Sequence, residues 1–175
     1  MSAWRRNTIR NLPFVITGNQ SDSLIIITPE QEPILSLFNT ERDEPFFEIP
    51  ELQTILREHW FALPERFPGV TLDEFVIMPT HVHFIIHMEG NVEKPVTLGN
   101  IIGAYKSLTT RAWLDHIKST GPARSCIIWQ RDYDDRAIID VKSLEVRRQY
   151  IRNNPEKWEA AHQKPDPLSS DAREI

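Results

Sequence analysis

Apolar positions recur along this chain with two different periods, and their alternation outlines the elements of a fold. Leu24–Thr28 (LIIIT) is a short β-branched run closed by Pro29, which predicts a strand. Between Pro50 and Pro64, Leu52, Ile55, Leu56, His59, Trp60 and Leu63 recur every three or four residues, the spacing of an amphipathic helix. Leu72–Met78 and His81–Met88 are strand-like runs on either side of Pro79-Thr80, and two intervening residues predict a tight hairpin. In the second run Val82, Phe84, Ile86 and Met88 share one parity and read as the core face. Leu98, Ile101, Ile102, Tyr105, Leu108, Thr109 and Ala112 mark a second helix, with Thr97 as N-cap and Gly121-Pro122 as its stop. Gly99 and Gly103 weaken that helix without breaking its pattern. Cys126–Gln130 (CIIWQ) reads as a last strand, and Val141–Asn153 as a last helix stopped by Pro155.

The order β-α-β-β-α-β followed by a helix is that of the split βαβ, or ferredoxin-like, arrangement. The expected fold class is therefore α+β: a four-stranded antiparallel sheet with helices on one face and an additional C-terminal helix. The other face is left for a ligand or that further helix. Residues 1–20 lack periodicity and read as an N-terminal arm, residues 21–160 as one domain, and residues 161–175, with two prolines and no apolar face, as a flexible tail. One domain also fits the length of 175 residues.

Composition narrows the classes. Apolar residues make up 40% and charged residues 26%, which fits a soluble globular protein. No apolar run reaches the ~18–20 residues that cross a bilayer, so a membrane partner is not expected. Arg5 and Arg6 are not followed by an apolar segment of the secretory kind. A single cysteine, Cys126, excludes a disulfide framework and any multi-cysteine metal site, and fits a cytoplasmic setting.

Charge adds one feature. The formal net charge is −5, which by itself argues against nucleic acid. The distribution is polarised. Glu41–Glu74 holds nine acidic residues against three arginines, whereas Gly103–Trp158 holds eleven Lys and Arg against seven Asp and Glu. A basic face can survive within an acidic total, or these charges are ordinary solvated surface.

Three groups of residues could carry chemistry. On a strand His81 and His83 point the same way and could converge on one divalent cation, and His87 shares their parity. They could equally be the solvent face of an amphipathic strand. Tyr150 and Asn154 are four apart on a helix and share a side, with Arg147 nearby and Arg148 and Arg152 on a neighbouring one. A phenol beside guanidinium groups and an amide suits attack on phosphate. Alternatively Tyr150 packs against Val146, and Asn154 caps a further helix with Pro155 in its first turn. The stretch Trp129–Arg136 could line a nucleic-acid groove or form a charged turn, and Lys106 and Arg111 could contact phosphates or solvent.

Taken together these segments resemble the single-tyrosine HUH transposases, and among them the REP-associated tyrosine transposases and their insertion-sequence relatives. Leu72–His87 (LDEFVIMPTHVHFIIH) looks like the family's strand–turn–strand, although Thr80 stands where asparagine is usual. Lys106-Ser107, Ile128–Tyr133 (IWQRDY) and Tyr150–Pro155 (YIRNNP) follow in the family's order. The resemblance implies a metal-dependent strand transferase acting on single-stranded DNA with hairpins. It implies Tyr150 as nucleophile and His81, His83 and Asn154 as ligands of Mg²⁺ or Mn²⁺. Lys106, Arg111, Trp129, Arg131, Arg147, Arg148 and Arg152 become the expected nucleic-acid contacts. It also implies either a homodimer or a monomer, located with the nucleoid. The rival readings are a non-catalytic hairpin-binding regulator, an RRM-type RNA binder and a hydrolytic metal phosphodiesterase.

Overall fold

The structure is a computed structural model that describes residues 19–27, 37–38, 45–46, 50–89, 96–120 and 127–162. The arm as far as residue 18, Thr28, Cys126 and the tail beyond residue 162 lie outside the described residues. In chain order the elements are β1 (Asn19–Ile27), β2 (Leu37–Phe38), β3 (Pro45–Phe46), α1 (Pro50–Phe61), α2 (Leu63–Arg66), β4 (Val70–Ile77) and β5 (His81–Glu89). There follow α3 (Leu98–Thr120), β6 (Asp134–Ile138), α4 (Val141–Arg152) and α5 (Asn154–His162).

β4, β5, β1 and β6 form one antiparallel sheet in that spatial order, which is the ferredoxin-like topology. β2 and β3 pair separately as a two-residue ladder. β1 lies in the middle of the sheet and begins at Asn19, inside the stretch expected as an arm. Its polar first half finds ladder partners in both neighbours, Ser21 facing His87 on β5 and Ile138 on β6. That pairing satisfies the backbone where side-chain patterning alone shows no strand.

The even positions of β5 face α1 and α3. Val82, Phe84 and Ile86 are fully buried there with Leu52, Leu56, Trp60, Ile101, Ile102 and Tyr105. Trp60 is central: its ring stacks on Phe75 at 5.0 Å and leans on Phe84 at 4.7 Å. The polar groups in this layer are paired. Tyr105 Oη donates to the Leu56 carbonyl at 3.1 Å, and Trp129 Nε1 donates to Thr109 Oγ1 at 2.9 Å.

The fourth strand differs from the sequence expectation. Residues 127–130 are not a strand; the strand that joins β1 is β6, Asp134–Ile138. The reason is Lys106. Its ammonium gathers the carbonyls of Gln130, Arg131 and Asp132 at 2.9, 3.3 and 3.0 Å. Three successive carbonyls turned onto one cation cannot alternate to either side as a ladder requires. Ile128 and Trp129 are apolar because they plug the core, not because they pair.

β4 carries a bulge. Leu72 pairs with Ile86 and Phe75 with Phe84, so three steps on β4 match two on β5. Leu72 and Phe75 therefore both turn to the core, and Asp73 and Glu74 are presented elsewhere. Trp60→Ala is expected to cost about 3–5 kcal/mol in urea unfolding, because it leaves a ring-sized void between Phe75 and Phe84.

Candidate active site

The odd positions of β5 look the other way, toward α4. Ile85 is fully buried there with Ile138 of β6 and Ile151 of α4. The histidine side of the strand is thus a second, smaller core rather than a solvent face.

Within it His81 Nε2 and His83 Nε2 stand 2.9 Å apart. Thr80 Oγ1 lies 2.8 Å from His81 Nδ1. In the tautomer that leaves Nε2 a lone pair, Nδ1–H donates to this hydroxyl and fixes the ring. The Asn154 side-chain amide hydrogen-bonds His83 Nε2, and rotating the amide end for end would present its oxygen instead. Cis ligands of an octahedral ion at ~2.0–2.1 Å are about 3 Å apart, so two imidazoles and an amide oxygen fit Mg²⁺ or Mn²⁺. Among the described residues no third histidine, cysteine or carboxylate joins them.

Burial holds both histidines neutral, as ligands must be. Desolvation lowers His81 to about 4. It lowers His83 to about 3, with the charges of His81 and Arg147 adding to the effect.

Tyr150 stands beside this pair. Its ring meets His83 edge-on, centroids 5.7 Å apart and planes at 89°. It is 41% exposed, so the ring is not part of the buried core. Two residues of α5 that the sequence reading did not single out complete the surroundings. Lys157 Nζ is 5.7 Å from the centre of the Tyr150 ring, and Trp158 meets His81 edge-on at 6.0 Å. They come near because Asn153 ends α4 and Asn154 opens α5. Asn154 therefore starts a new helix and also reaches His83. For Lys157 and Trp158 the sequence signal was the Asn-Pro that opens their helix.

What seats α4 is a set of ion pairs from the bulge. Arg148 Nε and Nη2 donate to both oxygens of Asp73 at 2.8–3.1 Å, and His87 Nε2 lies 2.7 Å from the same carboxylate. Arg152 pairs with Glu74 one turn on. Burial would raise Asp73, but the hydrogen bonds and charges of Arg148 and His87 outweigh it and hold the carboxyl below its usual range. Arg148 and Arg152, expected at DNA, are thus engaged with β4. His87 belongs to this anchor rather than to the His81–His83 pair.

The remaining expected contacts divide. Trp129 is 7% exposed with its indole N–H taken by Thr109, so it offers no face for base stacking, contrary to expectation. Lys106 is bound to three carbonyls and lies against the Tyr133 ring, a strut rather than a free cation. Arg111 and Arg131 are exposed, and Arg147 is half-buried near His83.

The family is defined at this point. Residues 50–154 match the family of IS200-like transposases, and the chain belongs to it. It is 31% identical over 130 residues to an uncharacterized protein of Haemophilus influenzae, covering 64% of this chain and 69% of that one. Among solved structures it is similar to a REP-associated tyrosine transposase bound to a REP hairpin. The TM-score is 0.57 at 18% identity, over 90% of this chain and 74% of the other, a likeness of fold. No helix among the described residues is long and apolar enough to cross a membrane.

Two outcomes are expected. Asp73→Ala should lower stability by about 1–2 kcal/mol, since the nearly buried carboxylate makes charge-assisted bonds to an arginine that is one-third exposed. Denaturant unfolding measures it. Separately, stability in the presence of chelator should fall as pH drops below about 6.5. The unfolded histidines then gain protons that folded His81 and His83 refuse until about pH 4 and 3. The decline between pH 7 and 5 should be smaller in the double variant His81→Gln, His83→Gln.

Proposed function

We propose that this chain is a metal-dependent DNA strand transferase that cleaves and rejoins single-stranded DNA beside a hairpin through a covalent 5′-phosphotyrosine at Tyr150. The observation that carries this reading is the meeting of Tyr150, His83 and Asn154 from three elements, β5, α4 and α5, with His83 and Asn154 71 positions apart in the chain. Membership of the IS200-like transposases supports it, and the hairpin partner follows the similar transposase that is bound to one.

In this reading the Tyr150 phenol oxygen attacks the scissile phosphorus. A bond from that oxygen to phosphorus forms, and the bond from phosphorus to the 3′-oxygen breaks. The phenolic proton passes to water, and the departing 3′-oxygen takes up a proton to leave as a hydroxyl. Attack by another 3′-hydroxyl reverses these steps, so rejoining needs no outside energy source. His81, His83 and Asn154 would hold Mg²⁺ or Mn²⁺, which supplies charge neutralisation at the phosphate oxygens. Lys157 adds positive charge beside the Tyr150 ring and Arg147 near His83, where phosphate charge must be met. The half-exposed phenol leaves room for a strand to approach.

The test is covalent trapping. The protein is mixed with end-labelled, hairpin-bearing single-stranded oligonucleotides and Mn²⁺, then run on denaturing gels. A labelled adduct is expected that requires the metal and is lost in Tyr150→Phe and in His81→Ala. An adduct that survives Tyr150→Phe would move the nucleophile elsewhere. Hairpin binding by mobility shift with no adduct under any metal would make the chain a hairpin-binding protein without strand transfer.

A further inference from the structure

None of the described side chains of α5 is buried, and Trp158 joins neither of the two apolar clusters. The helix instead edges the tyrosine site. Asn154, Lys157 and Trp158 are spaced i, i+3 and i+4, so they share one side of it. Each reaches a different member of the site. Asn154 hydrogen-bonds His83, Lys157 lies over the Tyr150 ring, and Trp158 meets His81 edge-on. Asn154 is accounted for as a ligand and Lys157 as a charge, but Trp158 has no part in the chemistry so far.

Its indole is half-buried and stands near a phenol that is itself partly open to solvent. A ring in that position suits the face of an unpaired base. Every base has a flat π-face, and within a duplex both faces are covered by neighbouring bases. A paired base could lie on Trp158 only by leaving its stack and its partner. Lys157, the preceding residue, is exposed. Its contact with the Tyr150 ring, at 5.7 Å, is of the weak surface kind, so the ammonium is able to turn to a phosphate. A cation and a stacking ring on consecutive residues match the two parts of one nucleotide, a charged phosphate and a flat base.

We propose that Lys157 and Trp158 form a subsite for one unpaired nucleotide next to the scissile phosphate, with the indole stacked on its base and the ammonium on its phosphate. The subsite rests on the strand-transferase reading for the phosphate that lies at Tyr150, but it is tested by binding.

The experiment uses the full chain with Tyr150→Phe, so that no cleavage intervenes, and with Mn²⁺ present. The probes are two hairpin oligonucleotides with unpaired flanks on both sides. One has thymidine flanks, and the other has flanks of equal length that lack bases. By fluorescence anisotropy the thymidine probe should bind about tenfold tighter, the scale of one base on one ring. Trp158→Leu should remove most of that difference, and Trp158→Phe should keep it. Lys157→Gln should weaken both probes alike and flatten the logarithmic salt slope by about 0.7, the single-strand value for one phosphate, and Lys157→Arg should restore it. A second readout keeps the ring in place. The part of the emission that is lost in Trp158→Phe should be quenched by the thymidine probe and not by the base-free one. The proposal is overturned if the bases add nothing to affinity, if that emission is not quenched, or if Lys157→Gln leaves both affinities unchanged. It is equally overturned if Trp158→Leu preserves the ratio between the probes, since the ring would then only cover His81. A Tyr150 adduct in the unsubstituted chain without a base contribution would remove the subsite and leave strand transfer standing. A base contribution that depends on Trp158, with no adduct, would leave the subsite as a single-strand contact and remove strand transfer.

Discussion

The ion pair between Asp73 and Arg148 is the contact on which the arrangement of this site depends. Tyr150 and Asn154 sit on α4 and at the start of α5, and nothing on the strand they face binds them covalently. Their height and rotation over His81 and His83 follow from how α4 is seated. Ile151 supplies the apolar part of that seat, buried with Ile85 and Ile138. Apolar packing is non-directional, however, and a helix resting on three isoleucines could slide or roll. The fork of Arg148 on both oxygens of Asp73 has one geometry. Two residues beyond Arg148 comes Tyr150, and six beyond comes Asn154. Arg152 on Glu74 repeats the restraint a turn later.

This anchor exists because β4 is irregular. In a regular strand Asp73 and Glu74 would point to opposite faces, and only one could meet α4. The extra residue between Leu72 and Phe75 keeps the apolar pair on the core side and leaves two consecutive carboxylates for two arginines one turn apart. His87, directly across from Thr71 on the neighbouring strand, closes the carboxylate's remaining side. A local break in strand periodicity thus sets the position of a helix, and through it of the phenol.

The elements with strong periodicity were legible in the sequence: the helix through Trp60, the paired strands around Pro79-Thr80, the long helix through Tyr105 and the tyrosine helix. The facing of His81 and His83 followed from parity alone. Three features were not legible, each for a stated reason. The last strand was placed on CIIWQ because a buried apolar run looks the same whether it pairs or plugs. What decided it was Lys106, more than twenty residues away, turning three carbonyls inward. The polar half of β1 has no side-chain pattern, only two partners. The charges misled most. Arg148, Arg152 and Lys106 belong to the basic stretch, yet each is spent inside the fold on a carboxylate or on carbonyls. Counting charges along a sequence cannot separate a strut from a binding residue.

Removing those struts from the count sharpens what remains. Lys157 stands by the Tyr150 ring and Arg147 near His83 on one side of the sheet, and Arg111, Lys118 and Arg131 line a groove along α3 on the other. Neither group is large, and the acidic total weakens the long-range pull on DNA. Affinity must then come from short-range contacts at defined points rather than from a diffuse basic surface. That suits the proposed strand transfer. In that reading a phosphotyrosine intermediate would have to be kept while one strand end leaves and another arrives, and the covalent bond itself would retain the strand during that exchange. Strong nonspecific binding would slow the exchange without protecting the intermediate. A weakly attractive protein with a rigidly seated tyrosine places its specificity in geometry. For that reason the Asp73–Arg148 contact bears more on the proposed reaction than the number of lysines and arginines does.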